Sequence, residues 1–339
     1  MSRLSEPWFC FLNHPRDVDD LRRSGSFDFL RRHSSSEAEA LRKACTLQPQ
    51  MVGEVLFGYA PIWGEIISAM LMPEEMQGAQ GKGATAKAVS LAASRGAQVV
   101  GLGALTSSVT GGGLTLRRNL APQVTLTNGS AYTASVVRQN VSEATKFIGL
   151  GDKARVGLVG CTGSVGVPAC HLLADAGFNL VLVGRSVERV RHLFGGLAPQ
   201  ATFAENLSAV NECDIVVLLT SAPSARMSPE ILRPGTVVID FAQPPNIARS
   251  SHVRFQQRGV SVVAGGIVQI PSYNCTYDLG LPASDTFACL AETYLFAREG
   301  IREHSVGRPS IEFVKAIEKI SLKHAVSPRP LEILAHDRD

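Results

Sequence analysis

Short runs of consecutive apolar residues recur through the second half of the chain, each set off by glycine or by a segment with helical spacing. Arg155–Val159 (RVGLV) runs into GCTGSVG, and VPACHLLADAG then carries apolar residues three and four apart. Asn179–Val183 (NLVLV) repeats the short apolar type, as do DIVVLL, TVVID and VSVVAGG further on. Unbroken apolar runs of this length are strands buried on both faces. Their alternation with helices gives βαβ units and a parallel sheet. The block from about Lys153 to Gly266 is therefore predicted to be one doubly wound domain of Rossmann type.

The first 150 residues are patterned differently. DVDDLRRSG and SEAEALRKAC read as short helices with charged faces, and QMVGEVLFGYA and GAQVVGLGAL read as strands. GKGATAKAVSLAASRG reads as a helix ended by Gly96. QVTLTNGSAYT gives a strand, a turn and a helix reaching about Gly149, with Asn128 or Ser130 as its cap. The segment Val55–Met72 reads as a strand and a short helix with apolar bulk to spare, which either lines an apolar substrate pocket or is ordinary core. After Ile270, PSYNCTYDLGLPASD reads as a connector, followed by helices near Asp285–Glu299 and Ser310–His324. The fold class is thus α/β: a Rossmann-type doubly wound parallel sheet plus an N-terminal α/β substrate domain completed by C-terminal helices. The expected divisions are 1–150 for the substrate domain, 151–270 for the nucleotide domain, and 271–339 for the connector and the helices that pack back.

Composition narrows the function. The 339 residues are 45% hydrophobic, which excludes a disordered chain, and the net charge of +3 gives no electrostatic footprint for nucleic acid. The seven cysteines are scattered with no CxxC pair, so no zinc site is expected. The opening MSRLSEPWFCFLNHPRDVDD turns acidic too early for a signal peptide, and no uncharged apolar run is long enough to span a membrane. The expectation is a cytoplasmic protein with no metal and no integral membrane segment; its oligomeric state is not legible. The basic pairs Arg22–Arg23, Arg31–Arg32 and Arg117–Arg118 suit solvated faces or the docking of an acidic carrier protein.

The glycine loop carries the cofactor chemistry. Gly160, Gly163 and Gly166 stand between a strand and a helix, where backbone N–H groups approach a pyrophosphate at a helix N-terminus. Thr162, Ser164 and Val165 complete that loop. The second strand ends in VLVGRSVER, with Arg185, Ser186 and Arg189 where an NAD enzyme places an acidic residue for the ribose hydroxyl. A guanidinium there suits a 2′-phosphate, so NADP is the expected cofactor. Ser221 and Ala222, in LLTSAP after the fourth strand, are expected to face the nicotinamide ribose. Gly266, ending the last strand, completes the expected cofactor contacts. The glycine-rich Gly101–Gly113 lacks a clear amphipathic helix after it and is not read as a second such site.

Cys289 lies in SDTFACLAETY. Ser284 or Asp285 is placed to cap its helix, which leaves the thiol in an early turn, where the helix N-terminus lowers a thiol pKa. Glu292 shares its face. Spacing alone does not separate it from six other cysteines, most of which serve as small core hydrophobes.

The ordered set of motifs resembles the long-chain acyl-[acyl-carrier-protein] reductases. ARVGLVGCTGSVG is similar to that family's nucleotide loop, VVIDFAQPPN and VVAGGIVQIP to its later strands, TFACLAE to its active-site helix, and GRPSIEFVKAIEKISLKHA to its C-terminal helix. FCFLNHPRDVDDL, LMPEEM, GLGALTS and TNGSAYTASVVRQ sit in matching order. The chain departs from the family in lacking its histidine in the TNGSAYTA segment and in the stretch after GGIVQ. The resemblance implies that Cys289 is the acyl acceptor and that NADPH reduces an acyl thioester, carried on acyl carrier protein or coenzyme A, to an aldehyde. Two other readings compete: a shikimate-dehydrogenase-like ketone reductase, with Lys82 or Lys87 as proton donor, and a non-catalytic NADP-binding sensor.

Overall fold

The computed structural model describes residues 7–22, 25–58, 61–220 and 226–333. Following the chain, the elements are β1 (Phe9–Asn13), α1 (Val18–Arg22), α2 (Gly25–Arg32), α3 (Glu37–Ala44), β2 (Gln50–Phe57), β3 (Trp63–Ser68), α4 (Pro73–Met76), α5 (Ala79–Ser94), β4 (Val99–Leu102), α6 (Leu105–Val109) and β5 (Thr125–Thr127). Then come α7 (Ser130–Phe147), β6 (Arg155–Val159), α8 (Gly166–Asp175), β7 (Asn179–Val183), α9 (Val187–Phe194), β8 (Ala201–Ala204), β9 (Ile215–Leu218), β10 (Val237–Asp240), α10 (His252–Gln257) and β11 (Ser261–Ala264). The last elements are β12 (Ile267–Gln269), β13 (Tyr273–Cys275), β14 (Asp285–Phe287), α11 (Ala288–Glu299), α12 (Ile311–Lys323) and β15 (Ser327–Pro328). None of the helices is long and apolar enough to cross a membrane, among the described residues.

The chain divides into two compact units. Unit 1 holds residues up to Ser130, then Val268–Gly307 and Lys319–Ser327. Unit 2 holds Ala131–Ile267, Arg308–Glu318 and the chain from Pro328 onward.

Unit 2 is the doubly wound sheet that the apolar runs predict. Its strand order is β11-β10-β9-β6-β7-β8, with every neighbour parallel. The order reverses between β6 and β9, and such a reversal opens a crevice at the carboxyl ends of the strands. Val181, Val183, Val216, Leu218 and Val238 pack one face with Phe255 and Leu232.

Unit 1 is built on a mixed six-stranded sheet, β13-β2-β3-β1-β4-β5. The four strands β3, β1, β4 and β5 run parallel, while β2 and β13 form an antiparallel margin. One face packs on α5 through Cys10, Leu12, Ile67, Ala88, Val89, Ala92 and Val100. On the other face α11 lies against β4 and β1. Tyr294 of α11 stacks on Phe57 of β2, with ring centroids 4.2 Å apart, and Phe57 meets Phe9 of β1.

Three local expectations are corrected here. The apolar bulk of Val55–Met72 is the end of β2 together with β3, which is buried along its whole length, and Met70 and Leu71 that follow are core residues too. An interior strand needs apolar residues on both faces, so the surplus is ordinary sheet packing. The connector after Ile270 contributes β13, whose Tyr273 pairs with Phe57. The helix expected from Asp285 begins at Ala288, because Asp285–Phe287 is strand β14 in a small sheet with β12 and β15.

Helix α11 reaches the sheet because two glycines leave room for it. A Cβ on Gly101 of β4 would overlap the Thr293 hydroxyl, and one on Gly129 would overlap Cys289. Gly101→Val is therefore expected to force α11 off the sheet, at a cost of about 1–3 kcal/mol for an overpacked core. Thermal unfolding checks this: Tm should fall by several degrees, whereas Gly83→Ala, at a helical position open to solvent, should not lower it.

Candidate active site

In unit 2 the loop after β6 is shaped by close backbone approaches. Gly160 has φ +90°, a conformation that L side chains rarely adopt, and a Cβ there would lie 3.0 Å from the backbone of Leu219 and Thr220 after β9. A Cβ on Gly166 would lie 2.5 Å from the Gly160 carbonyl oxygen, so the missing side chain lets the start of α8 close over the loop. Gly163 donates to the Gly160 carbonyl at 3.1 Å. Helix α8 has no side-chain cap and no acidic residue in its first turn. Its positive end is left for an anion, and this cradle fits a dinucleotide pyrophosphate. Thr162, Ser164 and Val165 line the turn at partly exposed positions, and Arg308 donates to the Thr162 carbonyl at 3.2 Å.

Arg185 follows β7 and is exposed, with no carboxylate partner among the described residues. Ser186 caps α9 by accepting the Arg189 N–H at 3.2 Å, and its own hydroxyl donates to Glu188. The Ser186 oxygen is thus engaged in the cap, while Arg185 and the exposed Arg189 have no ion-pair partner among the described residues. Ser221 and Ala222 lie outside the described residues. Gly266 has φ +73°, sits against the Phe241 ring, and gives its N–H to Asn140 of α7 at 3.4 Å. Sequence reasoning missed Asp240, which is buried at the end of β10. It accepts the N–H groups of Ala242 and Ile247 at 3.0 Å, and burial raises its pKa.

In unit 1 Cys289 is the second residue of α11, whose cap position is Phe287 with no side-chain cap. The expected caps Ser284 and Asp285 lie before the helix, and Asp285 is strand. The sulfur is held by the ends of two neighbouring strands. Gly129 after β5, at φ +70°, presses against the Cys289 backbone, and the Ala104 N–H after β4 reaches the thiol together with the Leu290 N–H. Ala104 has φ +49°, a costly conformation for a residue with a side chain. The Leu105 N–H that follows is taken by His14 Nε2 at 3.4 Å. His14 Nδ1 donates to the Pro15 carbonyl at 2.7 Å, which leaves Nε2 as the acceptor. Burial pushes the His14 pKa down to about 4, so the ring is neutral.

Beneath the thiol, buried Glu292 accepts the Thr127 hydroxyl, and Thr127 Oγ1 accepts the Gly129 N–H at 3.1 Å. Asn128 ties the same turn down. Its Oδ1 accepts the Ser130 N–H, the first of α7, at 3.0 Å, and its Nδ2 donates to the Gly112 and Gly307 carbonyls. Glycines of the 101–113 segment thus serve the turn beside Cys289.

The expectation of a lowered thiol pKa is overturned. Desolvation pushes Cys289 up to about 12, and the Glu292 charge adds to this. The N–H groups of Leu290, Cys289 itself and Ala104 pull the other way without prevailing. Burial likewise raises Cys45 to about 11 and Cys161 and Cys213 to about 12. What sets Cys289 apart is its surroundings. Cys10, Cys161, Cys170 and Cys213 are buried, while Cys289 shares partial exposure with Cys45 and Cys275 and differs from them in that the N–H groups of Leu290, Cys289 itself and Ala104 all act on its sulfur. Of the basic pairs, Arg22 is bound to Asp19 and Glu37, Arg31 pairs with Asp28, and Arg23 lies outside the described residues.

Residues 142–257, about a third of the chain, match the family model described as Shikimate / quinate 5-dehydrogenase. This segment is a Rossmann-like domain of that type, and it lies within unit 2. No curated protein matches the chain. Among solved structures, the L-tryptophan dehydrogenase of Nostoc punctiforme is similar over 93% of this chain and 79% of that one, at 12% identity and TM-score 0.44. The nucleotide-binding domain of glutamyl-tRNA reductase from Thermoplasma volcanium is similar over 37% of this chain and 84% of that one, at 19% identity and TM-score 0.29. A cobalt- and zinc-bound thermostable alcohol dehydrogenase from Pyrobaculum aerophilum is similar over 40% of this chain and 39% of its own length, at 18% identity and TM-score 0.32.

A thiol with its pKa near 12 is protonated at neutral pH in the free protein. Its thiolate fraction grows about tenfold per pH unit, and the thiolate is the reactive form. Alkylation of Cys289 by iodoacetamide, followed by mass spectrometry of the TFACLAE peptide, should therefore accelerate from pH 7 to pH 10 without a plateau. A plateau below pH 8 would show a depressed pKa instead.

Proposed function

We propose that this protein reduces an acyl thioester to an aldehyde with NADPH, through an acyl group held on Cys289. The observation that carries this reading is the setting of Cys289: a partly exposed thiol in the first turn of α11 with the Ala104 and Leu290 N–H groups directed at it. Such donors stabilise negative charge as it develops on sulfur or on an adjacent carbonyl oxygen. The glycine cradle after β6 and the unpaired Arg185 support NADP as the cofactor.

A thioester carbonyl is already activated, so the cysteine sulfur attacks it without metal help. The new bond joins Cys289 Sγ to the acyl carbon, and the bond to the substrate's own sulfur breaks. The Cys289 proton leaves with the departing thiolate, which ends as free thiol; no net proton is needed for this half. The resting thiol is protonated and the thiolate is the nucleophile, so the proton must leave Sγ as the new bond forms. Gly160–Gly166 would hold the pyrophosphate and Arg185 the 2′-phosphate, and the cofactor when bound would supply the hydride that converts the acyl-cysteine to aldehyde. The cysteine sulfur takes back its bonding electrons as the aldehyde departs and regains a proton from solvent. Overall, thioester, NADPH and one proton give aldehyde, thiol and NADP⁺.

The ketone-reductase reading draws support from the family match of the nucleotide domain. It asks for a lysine with an acidic partner, and Lys82 and Lys87 are exposed on α5 with no ion pair among the described residues.

NADPH is expected to be used at least tenfold better than NADH in kcat/KM, and Arg185→Ala to remove most of that preference. A wild-type preference for NADH would contradict the assignment of Arg185. Incubation with an acyl thioester and no NADPH should add one acyl group to the TFACLAE peptide, and NADPH should discharge it as aldehyde. Cys289→Ala should abolish turnover while NADPH still binds, because a covalent nucleophile has no substitute. An adduct on another cysteine, or normal turnover by the alanine variant, would make Cys289 a packing residue.

A further inference from the structure

The end of β1 holds a polar group that the steps above leave unused. Asn13 is the last residue of β1 and only 9% exposed, and its Oδ1 is buried with no hydrogen-bond donor. An acceptor left in this state is costly, and Asn13 Oδ1 is one of six such side-chain atoms among the described residues; an occupant that supplies a donor would remove that cost.

Its position is fixed by the sheet. Side chains alternate along a strand, so Phe9, Phe11 and Asn13 share one face of β1. Phe9 meets Phe57, which stacks on Tyr294, so this is the face that α11 covers. The backbone around Asn13 is knitted to the next strand end: the Gly103 N–H binds the Leu12 carbonyl at 2.9 Å, and Leu105 binds His14. Ala104, between those two contacts, sends its N–H to the Cys289 sulfur. Arg16, three residues past Asn13, lies over the ring of Phe287, 5.7 Å from its centroid, and Phe287 is two residues before Cys289. Asn13 ends β1, and Ala104, whose N–H reaches Cys289, follows the neighbouring strand β4, so the two residues stand at adjoining strand ends of unit 1.

A thioester bound at Cys289 brings a particular donor to this edge. In coenzyme A and in acyl carrier protein alike, the thiol belongs to a pantetheine arm, and two carbons from the sulfur stands an amide N–H. We propose that Asn13 Oδ1 accepts this amide N–H, so that the site selects thioesters of the pantetheine arm over simple alkyl thioesters. The proposal rests on the thioester reading of Cys289. It gives the leaving group an anchor on β1, separate from the Ala104 and Leu290 donors that face the sulfur. An anchored leaving group also keeps the scissile carbonyl turned toward those donors.

The test compares matched acyl thioesters of N-acetylcysteamine, which carries the amide, and of butanethiol, which does not. The ratio of their kcat/KM values is measured in wild type, Asn13→Leu and Asn13→Asp, with NADPH binding and Tm reporting that each variant is folded. Comparing ratios between variants cancels the difference in leaving-group chemistry. Asn13→Leu should lower the ratio about tenfold, with butyl thioester turnover nearly unchanged, because one hydrogen bond to a buried acceptor is removed. Asn13→Asp keeps an acceptor in place and should retain much of the preference. Acyl-CoA and acyl-carrier-protein arms should both weaken in Asn13→Leu, and the faster of the two in wild type identifies the carrier. An unchanged ratio, or equal loss with both small thioesters, would overturn the proposal and leave Asn13 as the partner of an internal water. If wild type reduces no thioester of any kind, the reading of Cys289 itself has failed, which is a different result from reduction without amide preference.

Discussion

Everything at the cysteine depends on how closely α11 can lie on the first sheet. Gly101 and Gly129 set that distance, because a side chain on either would strike Thr293 or Cys289. With both absent, the helix start comes down onto the ends of β4 and β5, where the Ala104 N–H after β4 reaches its sulfur and Gly129 after β5 meets its backbone. The same approach buries Glu292 against Thr127 and closes the aromatic column of Phe9, Phe57 and Tyr294. The closeness that supplies backbone donors also strips water from the thiol. Desolvation wins over the helix end and the amides, and the resting group is a thiol, not a thiolate.

Legibility followed burial. In unit 2 every strand is parallel, and the interior strands β6, β7, β9 and β10 are buried nearly throughout, so there the sequence runs apolar and glycine punctuates it, whereas the edge strand β8 is half-exposed and carries no such run. β6 and β7 fall on the residues their pattern predicts, and β9, β10 and β11 differ by a residue or two at the ends. Unit 1 was harder for definite reasons. β1 is only five residues long and ends at His14–Pro15, so it offers no period to count. β3 followed β2 so closely that the pair read as strand and helix. β13 is three residues in a polar connector, and it pairs with a strand more than 200 positions earlier, which no local pattern encodes.

The candidate site divides in the same way. The glycine cradle was visible because strand, tight turn and helix are contiguous. Cys289 was singled out by resemblance, and its neighbours Ala104 and Gly129 come from two separate strand ends. Glycines at 101–113 looked like unassigned turn chemistry, and their role became clear only as carbonyl partners and clearances around Asn128 and Thr293. The thiol pKa went the wrong way because a helix end was visible in the sequence and the surrounding desolvation was not.

The interleaving of the two units has a consequence in time. Unit 1 begins with the first described strand, yet β13 and α11 are encoded only after almost all of unit 2, and its last piece ends at Ser327. During synthesis the parallel core of β3, β1, β4 and β5 emerges without the helix that covers one of its faces. The second sheet is complete before that cover arrives. Phe9, Phe11 and Phe57 then wait on an open face, a situation that favours aggregation or chaperone capture of the nascent chain. The surroundings of Cys289 are assembled last, so a chain that stops short of α11 carries a finished second sheet and a first sheet with one face uncovered.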